Sequence, residues 1–391
     1  MKFLVTGGAG FIGSAIAKKL FDRGDSVLII DNLSTGYIEN IPENVDFIEG
    51  DFSKDDIILQ LDNQKFDGIF HIGGQSSGEI SFENPEYDLN TNTLSTIKLL
   101  QYAVKTGCKK IVYASSMSVY GEHFGKECFS EDDLVSPKSF YAVGKLASER
   151  YMDIFSKQFG INYVALRYFN VYGPGQNLQN LKQGMVSIYL KQFIDDKFDE
   201  VTIKGSVDRF RDLIYIDDIV DITINSMDNP NFNNQVINIG TGKKTTVANI
   251  INLIKQYTNI DKKIILTDGT PGDQFGIYAN NTKLTSLYPY PLVNFAGIGG
   301  GVRDDDKMGL YKNIKRQTMK ILFALSKMAL EIISYVSTSL GVRLRYYVYR
   351  HLYKKIDGFF YIGCGCTITG YKYISLGKNV SISRNSFLYS V

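Results

Sequence analysis

Cysteine is scarce in this chain, with four among 391 residues and none spaced for pairing. No leader-like stretch precedes the first apolar segment, which begins at Met1. Together these point to a reducing cytoplasm rather than a disulfide framework. Cys364 and Cys366 form C-x-C, but two thiols with no neighbouring His or Cys make a poor zinc site, and no metal is expected. Net charge is also small, +2, yet it conceals a split. From Pro289 onward 15 Lys/Arg stand against 5 Asp/Glu, leaving 28 against 36 upstream, as though two different proteins were joined. The positive end adjoins an apolar stretch and carries no recognised binding module, so nucleic acid is not an expected partner. An uninterrupted membrane span is lacking too. Residues 321–342 are about long enough, but Lys327 and Glu331 sit in the middle. Each charge at a bilayer centre costs roughly 2.5–3.5 kcal/mol.

What is present suffices for one or two substantial cores, since 44% of the residues are hydrophobic. Residues 1–6 read as a buried parallel strand that ends in Thr-Gly7-Gly-Ala-Gly10-Phe11-Ile12-Gly13, with a helix over 11–23. Only glycine permits so tight a turn and lets backbone N–H groups approach a pyrophosphate at the helix start. A second strand begins at Ser26 and ends at Asp31, 18 residues past Gly13. A carboxylate there suits a ribose with a free 2′-hydroxyl, which favours NAD over NADP.

Tyr141-Ala-Val-Gly-Lys145 follows a strand that ends in Ala-Ser-Ser116. In a helix the four-residue spacing puts Tyr141 and Lys145 on one face. An ammonium about 4 Å away at an effective dielectric near 20 is worth roughly 4 kcal/mol. That equals roughly three pKa units, enough to bring a phenol from about 10 towards neutrality, where a general base works best. Ser116 can bond the same substrate oxygen. A second Y-x-x-x-K, Tyr311 to Lys315, falls on a basic helix and reads as chance.

With these pieces on one chain, residues 1 to about 290 resemble an extended short-chain dehydrogenase/reductase of the NAD-dependent sugar epimerase/dehydratase group. Further ordered segments match: Asp31-Asn32-Leu-Ser34-Thr-Gly36, Gly50-Asp51-Phe52, His71-Ile-Gly73-Gly-Gln, Arg167-Tyr-Phe169-Asn170, Arg211-Asp-Leu-Ile-Tyr and Asn238-Ile-Gly-Thr-Gly242. The resemblance implies an α/β fold, a Rossmann-like doubly wound parallel sheet over residues 1–295. A smaller substrate lobe would come mainly from 165–185, 200–240 and 260–290. It implies that Asp51 and Phe52 flank the adenine, that Asn92 and Phe169 lie along the cofactor with Tyr141 and Lys145, and that Asn170 and Arg211 face the diphosphate of a nucleotide sugar. It also implies a homodimer built through the helix bearing Tyr141.

Within this group the 4,6-dehydratases place an acid pair after the Ser/Thr, and decarboxylating members a glutamate two residues on. This chain has Met117 and Ser118. Methionine cannot donate a proton, so the resemblance implies a 4-epimerase that oxidises C4 transiently and returns the hydride, with a dehydratase as the alternative. The expected substrates are UDP-glucose/UDP-galactose or their N-acetyl analogues. One departure bears on the nucleotide: Thr270 stands where the group often has an arginine. Glu79 reads as a solvated charge, with contact to the sugar as the other reading.

Residues 296–307, with a run of three glycines and a charge run, read as a linker, and the helix that normally closes the substrate lobe is not recognisable. Residues 308–358 read as a basic and apolar helical segment. Across 312–355 it suits either peripheral contact with an anionic membrane or packing on a neighbour. Over 359–391, Ile362, Ile368, Ile374 and Val380 recur every sixth residue, as in a solenoid β-helix. Residues 308–391 resemble the start of a hexapeptide-repeat acyltransferase, cut short and without a His in the repeat, so no acyltransferase activity is expected. Two readings of the whole stay open: a working epimerase whose tail anchors or oligomerises it, and an impaired fusion.

Overall fold

The computed structural model describes residues 1–61, 64–123, 125–269, 274–293 and 295, and the backbone of six short strands between 355 and 388. The chain divides into two compact units, Met1–Arg303 and Asp304–Val391.

The first unit is organised by seven strands, numbered here in chain order: β1 (Lys2–Thr6), β2 (Ser26–Asp31), β3 (Asp46–Glu49), β4 (Gly68–His71), β5 (Lys110–Ser116), β6 (Asn162–Tyr168) and β7 (Gln235–Ile239). Their spatial order is β7-β6-β5-β4-β1-β2-β3, and every pairing is parallel. Such strands are covered on both faces, which is why they read as continuous apolar runs; all seven residues of β5 are buried. Alternation assigns the faces. Phe3 and Val5 of β1 pack with Ile16 and Leu20 of the helix Phe11–Asp22 and with Ile219 and Ile222 of the helix Ile216–Asp228. Leu4 points the other way, to Leu99, Leu100 and Ala103 of the helix Ser95–Thr106 and Met152 of the helix Phe140–Phe159. The last of these helices starts where Ser139 Oγ accepts from Ala142 N and stops at Gly160, whose φ of 72° ends the ladder.

The lobe is smaller than the sequence suggested. Residues 165–168 and 235–239 extend the main sheet as β6 and β7, and Ile216–Asp228 covers its face. Short apolar runs rich in β-branched residues look alike in either place, and only pairing decides. The lobe proper is built around Tyr172, Phe193, Val201, Ile203, Leu213, Val247 and Ile250. Phe295 is buried there with its ring 4.8 Å from that of Tyr172, and Val293 N donates to Asp218 Oδ2 at 2.8 Å.

In the second unit three two-stranded parallel sheets share one register offset, with Lys355 opposite Ser375, Phe360 opposite Val380 and Thr367 opposite Phe387. The expected linker and nearly all of 308–358, including the stretch considered for membrane contact, lie outside the described residues. Among the described residues no helix is long and apolar enough to cross a membrane.

Candidate active site

Two adjoining cavities open at the carboxyl ends of the central strands. The first, of about 210 Å³, is lined by Gly7, Gly10, Phe11, Ile12, Gly13, Asp31, Asn32, Ser34, Asp51, Phe52 and Gly73, all expected from the sequence to hold a cofactor. Its turn leaves no room for side chains. Gly7 has φ of 67°, and a Cβ on it would lie 2.6 Å from Gly73 Cα. A Cβ on Gly13 would lie 2.1 Å from the Gly7 carbonyl oxygen. Gly10 precedes the helix Phe11–Asp22 without a side-chain cap, so the first N–H groups are left to a ligand. Asp31, at the end of β2, accepts from Ala9 N at 3.0 Å and Leu33 N at 2.8 Å. Burial pushes its carboxyl up, and the two backbone bonds oppose that. A fixed acceptor here fits the ribose hydroxyls of NAD. Gly36 does not line the cavity. It packs on Ala9, where a Cβ would meet backbone at 2.7 Å.

The second cavity, of about 700 Å³, is lined by Ser116, Tyr141, Lys145, Phe169, Asn170 and Arg211. Residues Phe11, Ile12, Ile72, Gly74, Ser76, Gln176 and Gln183 line both. Ser116 closes β5, and its Oγ donates to Ser118 Oγ at 3.1 Å. The Ser116 hydroxyl lies near enough to the Tyr141 phenol to favour its ionised form. Lys145 Nζ donates to Ala114 O at 2.8 Å and lies 4.8 Å from the Tyr113 ring and 5.7 Å from the Tyr141 ring.

Burial adds to the balance at Tyr141 what helical spacing does not report. It pushes the phenol up to about 12, against the pull of the Ser116 hydroxyl. The same burial lowers Lys145 to about 8, which Asp88 opposes. Tyr141 and Lys145 lie buried on one wall of the second cavity, and the ammonium is directed to a backbone carbonyl. Lys145 is not among the groups that set this shift, and NAD, when bound, would add positive charge beside the phenol.

On the opposite wall, Arg211 donates to the carbonyls of Phe210, Gln274 and Phe275 at 2.7, 2.8 and 3.2 Å. Arg209, two residues back, lines the same cavity and donates to Lys204 O at 2.6 Å. The sequence reading missed Arg209, although its alternate spacing from Arg211 was a usable signal. Asn170 presents a buried Oδ1 with no hydrogen-bond partner among the described residues, which fits a polar ligand atom at this wall. Glu79 is not simply solvated: it lines the cavity and pairs with Lys204 at 3.3 Å. Thr270 lies outside the described residues. Asn92 lines neither cavity, being 1% exposed and set behind Gln75.

A segment that the sequence did not single out closes over both cavities. Asn177 donates to Tyr37 Oη at 2.9 Å, Gln183 to Ser76 Oγ at 2.7 Å, and Lys182 pairs with Glu83 at 2.7 Å.

A glycine turn for a dinucleotide, opening through a shared wall onto a Ser–Tyr–Lys set, defines a short-chain dehydrogenase/reductase-type enzyme. Residues 3–240 match the model of the NAD dependent epimerase/dehydratase family, and the chain belongs to that family. It is 34% identical over 285 residues to a putative UDP-glucose 4-epimerase of Methanocaldococcus jannaschii, covering 73% of this chain and 91% of the relative. The UDP-glucose 4-epimerase of Thermotoga maritima, solved with UDP-glucose, superposes with a TM-score of 0.72 at 34% identity, covering 76% of this chain and 95% of that one. That of Thermus thermophilus, solved with NAD, gives 0.71 at 30% identity, covering 76% and 96%.

Proposed function

We propose that this chain is an NAD-dependent nucleotide-sugar 4-epimerase acting on UDP-glucose/UDP-galactose or their N-acetyl analogues. The observation that carries the reading is the gathering of Ser116, Tyr141 and Lys145 on one wall, beside Met117 and Ser118 rather than a carboxylic acid. A cavity of about 700 Å³ is of the size that takes small-molecule ligands. When bound, NAD supplies a hydride acceptor and donor for C4 of the sugar, and its oxidised ring supplies positive charge beside Tyr141. Ser116 fixes the C4 oxygen by a hydrogen bond. Tyr141 takes the C4 hydroxyl proton as that carbon is oxidised and gives it back as the carbon is reduced from the other face. Asn170, Arg211 and Arg209 offer amide and guanidinium groups to the diphosphate. Elimination of water would need an acid beside Ser116, and Met117 has no proton to give, which disfavours the dehydratase.

The homodimer belongs to the same reading. It is supported by exposed apolar residues along the helix Phe140–Phe159: Phe140, Val143, Ile154 and Phe159. The constant register of the parallel strand pairs supports reading 359–391 as the start of a β-helix.

The test is NMR of the purified chain with UDP-galactose and no added NAD, beside Tyr141→Phe. A UDP-glucose signal that Tyr141→Phe abolishes is expected. A 4-keto-6-deoxy product would make the enzyme a dehydratase. No turnover with added NAD and with GDP-, CDP- or dTDP-sugars would favour an impaired fusion.

A further inference from the structure

Behind the Tyr141–Lys145 pair lies a carboxylate with no role in the chemistry above. Asp88 ends the short helix Pro85–Asp88 and is 1% exposed. Its Oδ1 accepts from Asn92 Nδ2 at 3.0 Å and from Gln75 Nε2 at 3.1 Å. Its Oδ2 lies 3.3 Å from where a Cβ on Gly144 would be, so glycine at the position before Lys145 is what admits the carboxylate to that helix.

The backbone between Asp88 and Asn92 is itself unusual. Residues Leu89–Leu94 form a π-helical turn, a widening that recurs at functional sites. Hydroxyls satisfy its carbonyls: Thr96 Oγ1 and Ser148 Oγ each donate to Asn92 O at 2.8 Å, and Ser95 Oγ donates to Thr91 O at 2.6 Å. Asn92 is thus clamped. Its Nδ2 also donates to Gln75 O at 2.9 Å, and since Gln75 O and the carboxylate only accept, the amide orientation is settled. Its Oδ1 is left buried without a hydrogen-bond partner among the described residues. The space beside Gly74 holds that oxygen and Lys145 Nζ together: a Cβ there would lie 2.5 Å from the first and 3.6 Å from the second.

We infer that Asp88 is a positioning residue for the reaction, a buried counter-charge that keeps Lys145 in its ammonium form and turns the Asn92 oxygen towards it. The inference rests on the epimerase reading for its catalytic consequence. The other titratable groups facing Lys145 do not supply this charge. His71 of β4 is held neutral, with its pKa lowered to about 3 by burial and by Lys145 itself. Tyr113 of β5 is pushed well up by burial. Tyr141 is protonated at rest, and Glu149, one turn along the helix, is engaged by Arg167. Asp88 holds the Asn92 amide whose oxygen shares the space beside Gly74 with the ammonium, and its charge opposes the effect of burial on Lys145.

The test compares the full chain with Asp88→Asn and Asp88→Glu, after checking folding by circular dichroism. Lys145 is titrated by NMR of ε-13C-lysine-labelled protein, with its signal assigned by loss in Lys145→Arg. The pH profile of kcat is followed in parallel with UDP-galactose. Asp88→Asn is expected to lower the Lys145 pKa by about one unit, a tenfold change in the ammonium-to-amine ratio. The alkaline limb of kcat should move with it, and Asp88→Glu should restore both. An unmoved Lys145 titration, or a kcat that falls with no shift of the limb, would overturn the inference. If Lys145 shifts as expected but wild type turns over no nucleotide sugar, the counter-charge stands and the epimerase reading falls.

Discussion

Glu149 and Arg167 offer the sharpest test of what holds the catalytic face in place. Arg167 lies on β6 and Glu149 on the helix that carries Tyr141 and Lys145, and both side chains are 3% exposed or less. Arg167 Nε and Nη2 meet the two carboxylate oxygens at 2.9 and 2.7 Å, and Nη1 donates to Tyr120 Oη at 2.9 Å. Ser115, beside Ser116, donates to Glu149 Oε1 at 2.6 Å. Burial works against the guanidinium, but its Glu149 bonds outweigh that and hold it above its ordinary value. Removing one partner strands the other charge in the core, which costs about 3–5 kcal/mol. At about 2 °C per kcal/mol for a domain this large, Glu149→Leu or Arg167→Met should each lower Tm by roughly 6–10 °C. The double variant removes both charges and should regain most of that loss, a non-additive result. Thermal unfolding of the three variants, beside kcat for each, is the assay. Single variants within 1 °C of wild type, or a double variant whose loss is the sum of the two, would refute the reasoning.

Three further outcomes are expected. Gly7→Ala forces a Cβ to within 2.6 Å of Gly73 Cα at a φ of 67°, so the purified protein should carry little NAD, read by absorbance of cofactor released on denaturation. Asp88 has its folded pKa raised to about 6 by burial, so its charge opposes folding above the unfolded value, and that penalty is relieved as pH falls through 6. Asp88→Asn should therefore raise Tm at pH 7.5, by an amount equivalent to at most roughly 3 kcal/mol, and the gain should vanish near pH 4; an equal Tm difference at both pH values would sink this. Lys182→Glu places like charge against Glu83 and should speed exchange of bound NAD a few-fold, since an exposed pair contributes little alone, as a filter-binding chase with labelled NAD would report.

The parts of the site legible in the sequence are those where a local pattern dictates backbone shape. Gly7, Gly10 and Gly13 impose a turn, Asp31 marks a strand end, and the four-residue step from Tyr141 to Lys145 puts both on one helix face. Asp88 escaped because its place behind Lys145 depends on separate segments packing together, and no spacing reports that. The burial of Tyr141 escaped for a related reason. Charge separation can be guessed from a helix, but the depth of burial that outweighs it cannot. Lobe boundaries failed at β6 and β7 because an apolar run does not say which neighbour it will pair with.

The segment that closes over both cavities ties two exchange events together. Gln176 and Gln183 face the cofactor and the sugar nucleotide alike, so a filled second cavity braces the cover of the first. Cofactor leakage then becomes a function of supply. The expected outcome is that the purified chain releases NAD more slowly at saturating nucleotide sugar than without it, and equal release rates would count against the shared cover.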